Sequence, residues 1–282
     1  MKVNCYAKIN LYLKVLGKEG KLHALDMLNT SLSLFDQVEI VKCDKLTVLC
    51  DDSDIKTTDN IAYKTAKAFM DRFNTTPVKI DIKKGIPKMA GLGGSSSDGA
   101  AVVFAMSKLF NVKLTEEDYK FFAQNLSSDL PYMINGGYAR VYGTGEKVEK
   151  IDTDLEFKGI IVKSQYNALT KDVYQKFDAL AVESAQPNAC QRIVDCLKNG
   201  DKKVVELFEN DLTLPAKMLL PDLEQIFNDL QKLNPNKILL CGSGGCVAAI
   251  FLGEGPSIEQ LKQKYKEVYT FTTRKQGMEI VE

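Results

Sequence analysis

The sequence predicts an α+β protein with two domains, and three features support this prediction. Residues 2–15 alternate between apolar and polar side chains, which is typical of a half-buried strand. A glycine-rich segment, Pro87–Ser97, joins a strand-like run to an apolar helical run. Beyond a polar joint at residues 151–155, setting the middle helices aside leaves the ferredoxin-like order β-α-β-β-α-β. We therefore expect an N-terminal domain over residues 1–152 and a C-terminal domain over residues 153–282.

The composition excludes several classes of protein. The chain has 282 residues, a hydrophobic content of 45% and a formal net charge of +0, so a mainly electrostatic nucleic-acid or membrane-surface binder is disfavoured. No apolar run approaches the ~20 residues that span a bilayer, and the N-terminus lacks a signal-peptide pattern. We expect a cytoplasmic protein. The 7 cysteines form no paired motif, and we interpret them as free thiols rather than zinc ligands or disulfides.

The N-terminal half alternates strand-like and helix-like patterns. The predicted strands cover residues 2–15, 37–42, 46–49, 78–82 and 137–142, and the predicted helices cover about 58–73, 100–110 and 115–125. The first helix carries Ile61, Thr65 and Phe69 at i, i+4 spacing. Thr58 or Asp59 is expected to cap that helix.

The rest of the chain, from Asp129 onward, also alternates strand-like and helix-like patterns. Pro131 is expected to prevent a helix around it, which places Asp129 in a short polar turn. Further strands are predicted at 157–163, 237–240, 246–252 and 267–272, and helices at 171–180, 189–198, 202–210, 222–233 and 257–266. The turn Gly242–Gly245 either forms a tight hairpin or lines a ligand cleft, and the sequence leaves both readings open.

The glycine-rich segment is a candidate anion site. It consists of Pro87, Lys88, Met89, Ala90, Gly91, Leu92, Gly93, Gly94, Ser95, Ser96 and Ser97. Glycines allow the backbone to approach a ligand, and the following helix start directs N–H groups and positive charge toward it. The simpler alternative is a flexible turn with a serine cap. The segment matches neither the Walker pattern, since no lysine follows it, nor the dinucleotide-binding pattern.

The same segment resembles the phosphate loop of the GHMP kinases, whose pattern is Pro-x3-Gly-Leu-Gly-Ser/Gly-Ser-Ser. Other motifs are similar to one branch of that superfamily, which phosphorylates a cytidine-diphosphate-linked methylerythritol. These motifs lie at residues 7–13, 20–25, 59–63, 128–132, 170–174, 210–212 and 242–247. The motifs occur in the same order as in that branch and cover nearly the whole chain. Each motif alone is weak evidence for the branch, but together they are specific for it.

The resemblance implies a fold and a reaction. The N-terminal domain would be ribosomal protein S5 domain 2-like, and the C-terminal domain would be ferredoxin-like. The γ-phosphoryl group of ATP would pass to the tertiary 2-hydroxyl of the methylerythritol. ATP implies Mg²⁺, for which the sequence identifies no ligand. The expected partners are ATP and a small-molecule substrate, with no nucleic acid and no membrane, and the protein would be a monomer or weak homodimer.

By the family pattern, Asp129 is the base that accepts the hydroxyl proton. Lys8 would lie beside Asp129 and stabilise negative charge on the acceptor oxygen. Asn10 would hydrogen-bond the methylerythritol portion. Without the resemblance, the alternation of the first strand puts Lys8 and Asn10 on a solvent-facing side, and Asp129 reads as an Asx turn or helix cap.

The resemblance also implies binding roles. Residues 87–97 would bind ATP, with the backbone N–H groups of Gly91–Ser97 on the triphosphate, and Asn60 would contact adenine or ribose. His23 and Tyr174 would recognise cytosine, one by polar contact and the other by stacking, with Thr170 in the same pocket.

Several positions depart from the branch pattern. Ser95 replaces a glycine, and Leu22 replaces an aromatic residue before the histidine. Before Asp129, Ser127 replaces a glycine and Ser128 stands where a small residue is common, and Tyr132-Met133 is a mild variation. These departures concern substrate affinity more than reaction type. The alternatives are another GHMP kinase acting on mevalonate, phosphomevalonate, homoserine or a sugar, a non-catalytic nucleotide-binding homologue, and a nucleic-acid-associated module.

Overall fold

The computed structural model describes residues 1–20, 22–51, 57–180 and 190–281. Its strands are β1 (Lys2–Glu19), β2 (Leu22–Lys42), β3 (Thr47–Cys50), β4 (Val78–Lys83), β5 (Ala139–Gly143), β6 (Lys147–Lys150), β7 (Lys158–Lys163), β8 (Glu209–Asn210), β9 (Lys237–Leu240), β10 (Cys246–Phe251), β11 (Val268–Arg274) and β12 (Met278–Ile280). Its helices are α1 (Ile61–Phe73), α2 (Gly94–Leu109), α3 (Glu116–Asn125), α4 (Leu130–Asn135), α5 (Thr170–Ala179), α6 (Gln191–Lys198), α7 (Thr213–Leu219), α8 (Leu223–Gln231) and α9 (Glu259–Lys264).

A long antiparallel hairpin of β1 and β2 forms the centre of the N-terminal sheet. Its pairing runs from Lys2 opposite Glu39 to Glu19 opposite Leu22. Strand β2 also pairs with β4 and β5, and β1 pairs with the C-terminal strand β12. The predicted strands therefore exist, but the first extends beyond residue 15 to Glu19, and the second is much longer than expected. The second expected strand, residues 37–42, is only the end of β2.

Helices α1 and α2 cover this sheet. They pack against each other, and α2 also lies against β1 and β2. Phe69 of α1 and Phe122 of α3 are fully buried, with ring centroids 6.2 Å apart. The expected caps of α1 were wrong, because Asn60 is the capping residue and its Oδ1 accepts a hydrogen bond from the Ala62 N–H at 2.8 Å.

The second sheet follows the ferredoxin-like order. Its strands run β11-β7-β10-β9, and every neighbouring pair is antiparallel. Numbered within the motif, this is the fourth, first, third and second strand of β-α-β-β-α-β. The predicted α+β fold class is confirmed. Strand β11 also pairs with β2 at Thr273 and Leu32, so the two sheets are continuous. The domain division at residue 152 stays a prediction.

Some local predictions were wrong. Pro131 does not prevent a helix, because it occupies the first turn of α4, where proline is tolerated. The helix expected at 202–210 is a 3-10 segment, Lys202–Leu207, followed by β8. Strands β6 and β12 and helix α7 were not predicted. Residue 189, the expected start of a helix, lies outside the described residues, and α6 begins at Gln191. In the described ranges, no helix combines the length and apolar content that crossing a membrane requires.

Candidate active site

The glycine-rich loop leads from β4 into α2. Gly91 and Gly93 have φ values of 73° and 74°, in the left-handed region that favours glycine. Gly93 is the N-cap residue of α2, and its position provides no side chain to bond the first turn. The first N–H groups of a helix have no intrahelical acceptor, so the start of α2 presents donors and partial positive charge to the space in front of the loop.

The second glycine turn packs directly onto this loop. A Cβ added to Gly91 would lie 1.9 Å from the Cys241 carbonyl oxygen, and one added to Gly245 would lie 2.0 Å from the Met89 carbonyl oxygen. The turn also closes the β9–β10 hairpin, where the Cys241 N–H donates to the Cys246 carbonyl at 2.9 Å. Both readings of Gly242–Gly245 therefore hold, since Gly242 also lines a cavity.

Asn210 supports this turn, a role that the sequence did not suggest. Its Nδ2 donates to the carbonyl oxygens of Leu240 at 2.9 Å and Gly242 at 2.7 Å. Asn210 lies in one of the late motifs, but nothing local indicates its acceptors, which are about 30 residues away. The two hydrogen bonds hold the Gly242–Gly245 turn in place. Because that turn packs onto the glycine-rich loop, they also support the loop.

Two cavities meet at the glycine-rich loop. The larger, about 1110 Å³, is lined by residues 84–96, Asp98, Asn60 and a group from the C-terminal half: Lys163, Asn167, Lys266, Glu267 and Tyr269. The smaller, about 790 Å³, is lined by Lys8, Asn10, His23, Asp129, Thr170, Tyr174 and others. Gly91, Gly93 and Ser96 line both cavities. The loop therefore forms part of the wall of both cavities.

Lys8 and Asp129 face each other in the smaller cavity. The Lys8 Nζ lies 4.0 Å from Asp129 Oδ2 and donates to Asn10 Oδ1 at 2.8 Å. Asn10 Nδ2 in turn donates to Asn29 Oδ1 at 2.6 Å. Asp129 precedes α4 without capping it by its side chain, which is 28% exposed. Its carboxylate is therefore accessible from the cavity.

The loop covers the side of β1 that carries Lys8. The Lys8 N–H donates to the Leu92 carbonyl at 2.9 Å, and a Cβ added to Gly93 would lie 3.1 Å from Lys8 Cγ. Lys8 and Asn10 are 7% and 0% exposed, so the solvent-facing side that strand alternation suggested was wrong. Burial of a lysine and an asparagine needs polar partners, and the site supplies them.

The other end of the smaller cavity is aromatic. The rings of His23 and Tyr174 stack with centroids 4.7 Å apart and an interplanar angle of 26°. His23 Nε2 lies 2.8 Å from Asp178 Oδ1, and Lys18 Nζ lies 2.8 Å from Asp178 Oδ2. Leu22, which stands in place of an aromatic residue, lines the cavity and is 57% exposed. Sequence reasoning missed Lys18 and Asp178.

The remaining predicted residues have varied surroundings. Thr170 Oγ1 and Ser243 Oγ share a hydrogen bond of 2.9 Å across the cavity wall. Ser95 is exposed at the loop, and Ser96 Oγ lies 2.9 Å from Ser127 Oγ. Ser97 is buried. Its hydroxyl donates to the Tyr6 carbonyl at 3.0 Å and its N–H to the Gly93 carbonyl at 2.8 Å. The structure thus places Ser97 behind the loop, away from both cavities.

A buried charge cluster lies beneath the loop, and sequence reasoning missed it. Lys84 Nζ donates to Asp98 Oδ2 at 2.6 Å and also to Asp36 Oδ2. The N–H groups of Gly85 and Ile86 donate to Asp36 Oδ1 at 2.7 and 2.8 Å. Burial, assisted by the nearby Asp36 carboxylate, raises the pKa of Asp98 to about 8 although Lys84 opposes the shift. The cluster ties β2 and the loop to α2.

Comparisons with known proteins agree with this architecture. The family model of the GHMP kinases N terminal domain matches residues 60–142. The chain is 32% identical over 285 residues to the 4-diphosphocytidyl-2-C-methyl-D-erythritol kinase of Clostridium beijerinckii, covering 97% of this chain and 100% of the relative. The enzyme of the same name from Clostridium botulinum (strain Kyoto / Type A2) is 34% identical over 283 residues, with the same coverage.

Solved structures show the same fold. A crystal structure of 4-(cytidine 5'-diphospho)-2C-methyl-D-erythritol kinase has a TM-score of 0.78 and 23% identity, covering 97% of this chain and 99% of that one. Homoserine kinase from Cytophaga hutchinsonii has a TM-score of 0.72 and 16% identity, covering 100% of this chain and 97% of that one. The sequence relatives go further than fold, because their identity extends over their full length. The chain therefore belongs to the 4-diphosphocytidyl-2-C-methyl-D-erythritol kinases, a family of ATP-dependent small-molecule kinases among the GHMP kinases.

Proposed function

We propose that this protein transfers the γ-phosphoryl group of ATP to the 2-hydroxyl of 4-diphosphocytidyl-2-C-methyl-D-erythritol, a step in the non-mevalonate route to isoprenoid precursors. One observation carries the proposal most directly. The glycine-rich loop borders two cavities, and the smaller one holds a lysine and a carboxylate, Lys8 and Asp129, beside that loop. Phosphoryl transfer needs such an arrangement, with a donor site and an acceptor site meeting at the transferred group.

ATP is assigned to the larger cavity. Backbone N–H groups of the loop and of the first turn of α2 would bind the triphosphate, because helix N-termini favour anions. The volume of about 1110 Å³ suits a nucleotide. Asn60 would contact adenine or ribose through its Nδ2, since its Oδ1 already caps α1. Residues 87–96 line this space, whereas Ser97 would support the loop from behind through its bond to Tyr6.

The acceptor hydroxyl is assigned to the space between Lys8 and Asp129. The Asp129 carboxylate would accept the hydroxyl proton as the new P–O bond forms, an effect worth about 10²–10⁴-fold in rate. Lys8 would stabilise negative charge on the acceptor oxygen. Asn10 accepts a hydrogen bond from Lys8 Nζ at 2.8 Å, which holds the cation near the reacting atoms. Asn10 would also contact the methylerythritol portion.

Mg²⁺ would accompany ATP. Magnesium in kinases is bound by one or two protein oxygens, several waters and the substrate phosphates. In the described part of the chain, no three or more potential histidine, cysteine or acidic ligands cluster, which fits an ion held chiefly by phosphates. The Ser96 hydroxyl, which lines both cavities beside the loop, suits this role. The ion would neutralise charge on the β- and γ-phosphates.

The cytidine is assigned to the end of the smaller cavity formed by His23, Tyr174 and Thr170. The two rings are too close to hold a base between them, because stacking on both sides requires roughly twice their 4.7 Å spacing. The base would therefore stack on an outward face of the pair or part the two rings. The polar edge of His23 would read its hydrogen-bonding groups.

In this proposal, both halves of the chain supply residues to the active site. Residues 1–152 supply the loop, Lys8 and Asp129, and residues 153–282 supply Thr170, Tyr174 and the second glycine turn. Both halves line each cavity. The reaction would therefore depend on their relative position, and a separated half would be inactive.

Side-by-side measurement of ADP release tests the proposal. The acceptors are 4-diphosphocytidyl-2-C-methyl-D-erythritol, mevalonate, homoserine and galactose, with the Asp129→Asn variant as the enzyme blank. We expect ATP-dependent turnover with the first acceptor alone. Turnover with one of the others but not the first would assign a sibling GHMP kinase activity. ATP binding without turnover on any acceptor would indicate a non-catalytic homologue.

A further inference from the structure

We propose that Asp178 is a positioning residue that fixes His23 as its Nε2–H tautomer, so that Nδ1 becomes the hydrogen-bond acceptor that selects cytosine over uracil. The inference deepens the proposed function and rests on its assignment of the cytidine to His23. Asp178 would act through His23 and would not contact the substrate.

Two contacts fix the orientation of the imidazole. The stack against Tyr174, at 4.7 Å and 26°, sets the plane of the ring. The contact between Nε2 and Asp178 Oδ1, at 2.8 Å, sets the rotation of the ring within that plane. With both degrees of freedom fixed, the direction of the Nδ1 lone pair is fixed as well. His23 and Asp178 lie 155 residues apart, on β2 and α5. The contact therefore depends on the fold.

The chemistry of the pair fixes the proton. An ionised carboxylate can only accept a hydrogen bond, so the nitrogen that faces it must carry the hydrogen. Partial burial opposes ionisation of Asp178, but hydrogen bonds from Lys18 and His23 outweigh it and lower the pKa of the carboxyl. Lys18 occupies the other carboxylate oxygen, Oδ2, at 2.8 Å. In the neutral imidazole, the proton is then on Nε2, and Nδ1 is an acceptor.

An acceptor at Nδ1 distinguishes the two pyrimidines. Cytosine presents an exocyclic amino group, which donates a hydrogen bond, where uracil presents a carbonyl oxygen. The cytosine amino group can donate a hydrogen bond to Nδ1. The uracil carbonyl oxygen is an acceptor like Nδ1, so the two lone pairs would repel each other. A binding site built for a hydrogen bond rejects a ligand that cannot make it, because polar groups are left unpaired. The opposite tautomer of His23 would offer an N–H and favour uracil.

Because the chain contains 1 histidine, every labelled histidine signal comes from His23, and its tautomer can be measured directly. With ¹⁵N-histidine labelling, long-range ¹H–¹⁵N correlations report which ring nitrogen carries the proton. The spectrum is recorded on the free protein, at a pH at which the ¹⁵N chemical shifts themselves show a neutral ring. We expect the Nε2–H tautomer in the wild type and a mixture of tautomers in Asp178→Asn, because an amide can either accept or donate.

Binding supplies the second readout. For Asp178→Asn we expect the KM for the cytidine substrate to rise about tenfold, the scale of one neutral hydrogen bond, with kcat and the KM for ATP nearly unchanged. The preference for CDP over UDP, as competitive ligands, should fall by a similar factor. Asp178→Glu, which restores a carboxylate, should recover part of both. Asp172→Asn removes the same charge from α5 and serves as the matched control.

Each result decides the proposal. An Nε2–H tautomer in the wild type that gives way to a mixture of tautomers in Asp178→Asn, together with the KM and base-preference changes, supports it. An Nδ1–H signal in the wild type, or an unchanged tautomer in Asp178→Asn, overturns it. A tautomer that depends on Asp178 without any change in CDP preference refutes the recognition role. Because the spectrum requires no turnover, a chain that failed to phosphorylate the cytidine substrate would refute the proposed function separately.

Discussion

Replacing Gly91 by alanine tests whether the two glycine turns hold each other in place. Gly91 has a φ of 73°, and an added Cβ would lie 1.9 Å from the Cys241 carbonyl oxygen. Real Cβ atoms essentially never approach closer than 3.0 Å, so the two backbones would have to separate by about 1.1 Å. No flexible side chain is involved, and the displacement must come from the glycine-rich loop or the β9–β10 turn.

The expected loss of stability has two parts. A left-handed conformation costs an alanine about 1–2 kcal/mol relative to glycine. The steric overlap adds about 1–3 kcal/mol, the usual cost of overpacking. Gly200→Ala isolates the first part, because Gly200 has a φ of 69° and an added Cβ would meet nothing within 4 Å. Gly91→Ala should therefore lose about 1–3 kcal/mol more of the free energy of unfolding than Gly200→Ala.

Urea denaturation and steady-state kinetics measure the two consequences. A shift of about 1 Å at a positioning loop can cost ~10²-fold in rate, so kcat/KM for ATP should fall by that order in Gly91→Ala and stay near wild type in Gly200→Ala. Equal unfolding free energies for the two variants would refute the backbone contact. A stability difference without any kinetic difference would refute the claim that this contact positions ATP.

Three further predictions concern charged groups. Asp129→Asn cannot take a proton, so kcat should fall about 10²–10⁴-fold while calorimetry finds ATP binding retained; near-normal kcat would exclude Asp129 as the base. Arg140→Met removes the two bonds, 2.8 and 3.0 Å, that the guanidinium donates to the fully buried Asp26 and leaves that charge uncompensated, so urea denaturation should show a loss of about 3–5 kcal/mol; a loss within about 0.5 kcal/mol would contradict a buried ion pair. Asp98 has a pKa raised to about 8, above the ~3.9 of the unfolded chain, so the folded state retains a proton that the unfolded chain releases. Its contribution is therefore full below pH ~3.9 and is lost as pH rises toward 8, and Asp98→Asn should gain stability relative to wild type across that window. A difference that does not vary with pH would show that Asp98 has an ordinary pKa.

Local patterns predicted the parts of the fold that depend on local chemistry. The glycine-rich loop, the strand before it and the helix after it follow from composition and period. The β-α-β-β-α-β order of the C-terminal half also follows from composition and period, and the observed strand order agrees with it. Pro131 was misjudged because proline lacks an N–H that only the helix interior needs, and residue 131 lies in a first turn.

The site was predictable only in part. The grouping of Lys8, Asp129, His23 and Tyr174 around one cavity was expected from family likeness, and the structure brings them together there. Alternation along β1 predicted exposure of Lys8 and Asn10, but it reports only the strand and takes no account of the loop that covers it. The sequence did not predict the Asp178–His23 contact or the Asp36–Lys84–Asp98 cluster, because the residues that pair in them are distant in sequence. Long-range pairing of charges leaves no periodic signal.

The pairing of β1 with β12 has a consequence for the order in which the protein is made. Strand β1 carries Lys8 and Asn10, and it leaves the ribosome long before Met278–Ile280, which is its neighbour on one side. The Tyr6 N–H also donates to the Gly277 carbonyl at 2.9 Å. Until those residues emerge, one edge of β1 has unpaired backbone groups that can pair with another chain. A nascent chain would therefore be open to mispairing at the strand that carries Lys8 and Asn10, and deletion of Met278–Ile280 would leave this edge without its partner permanently.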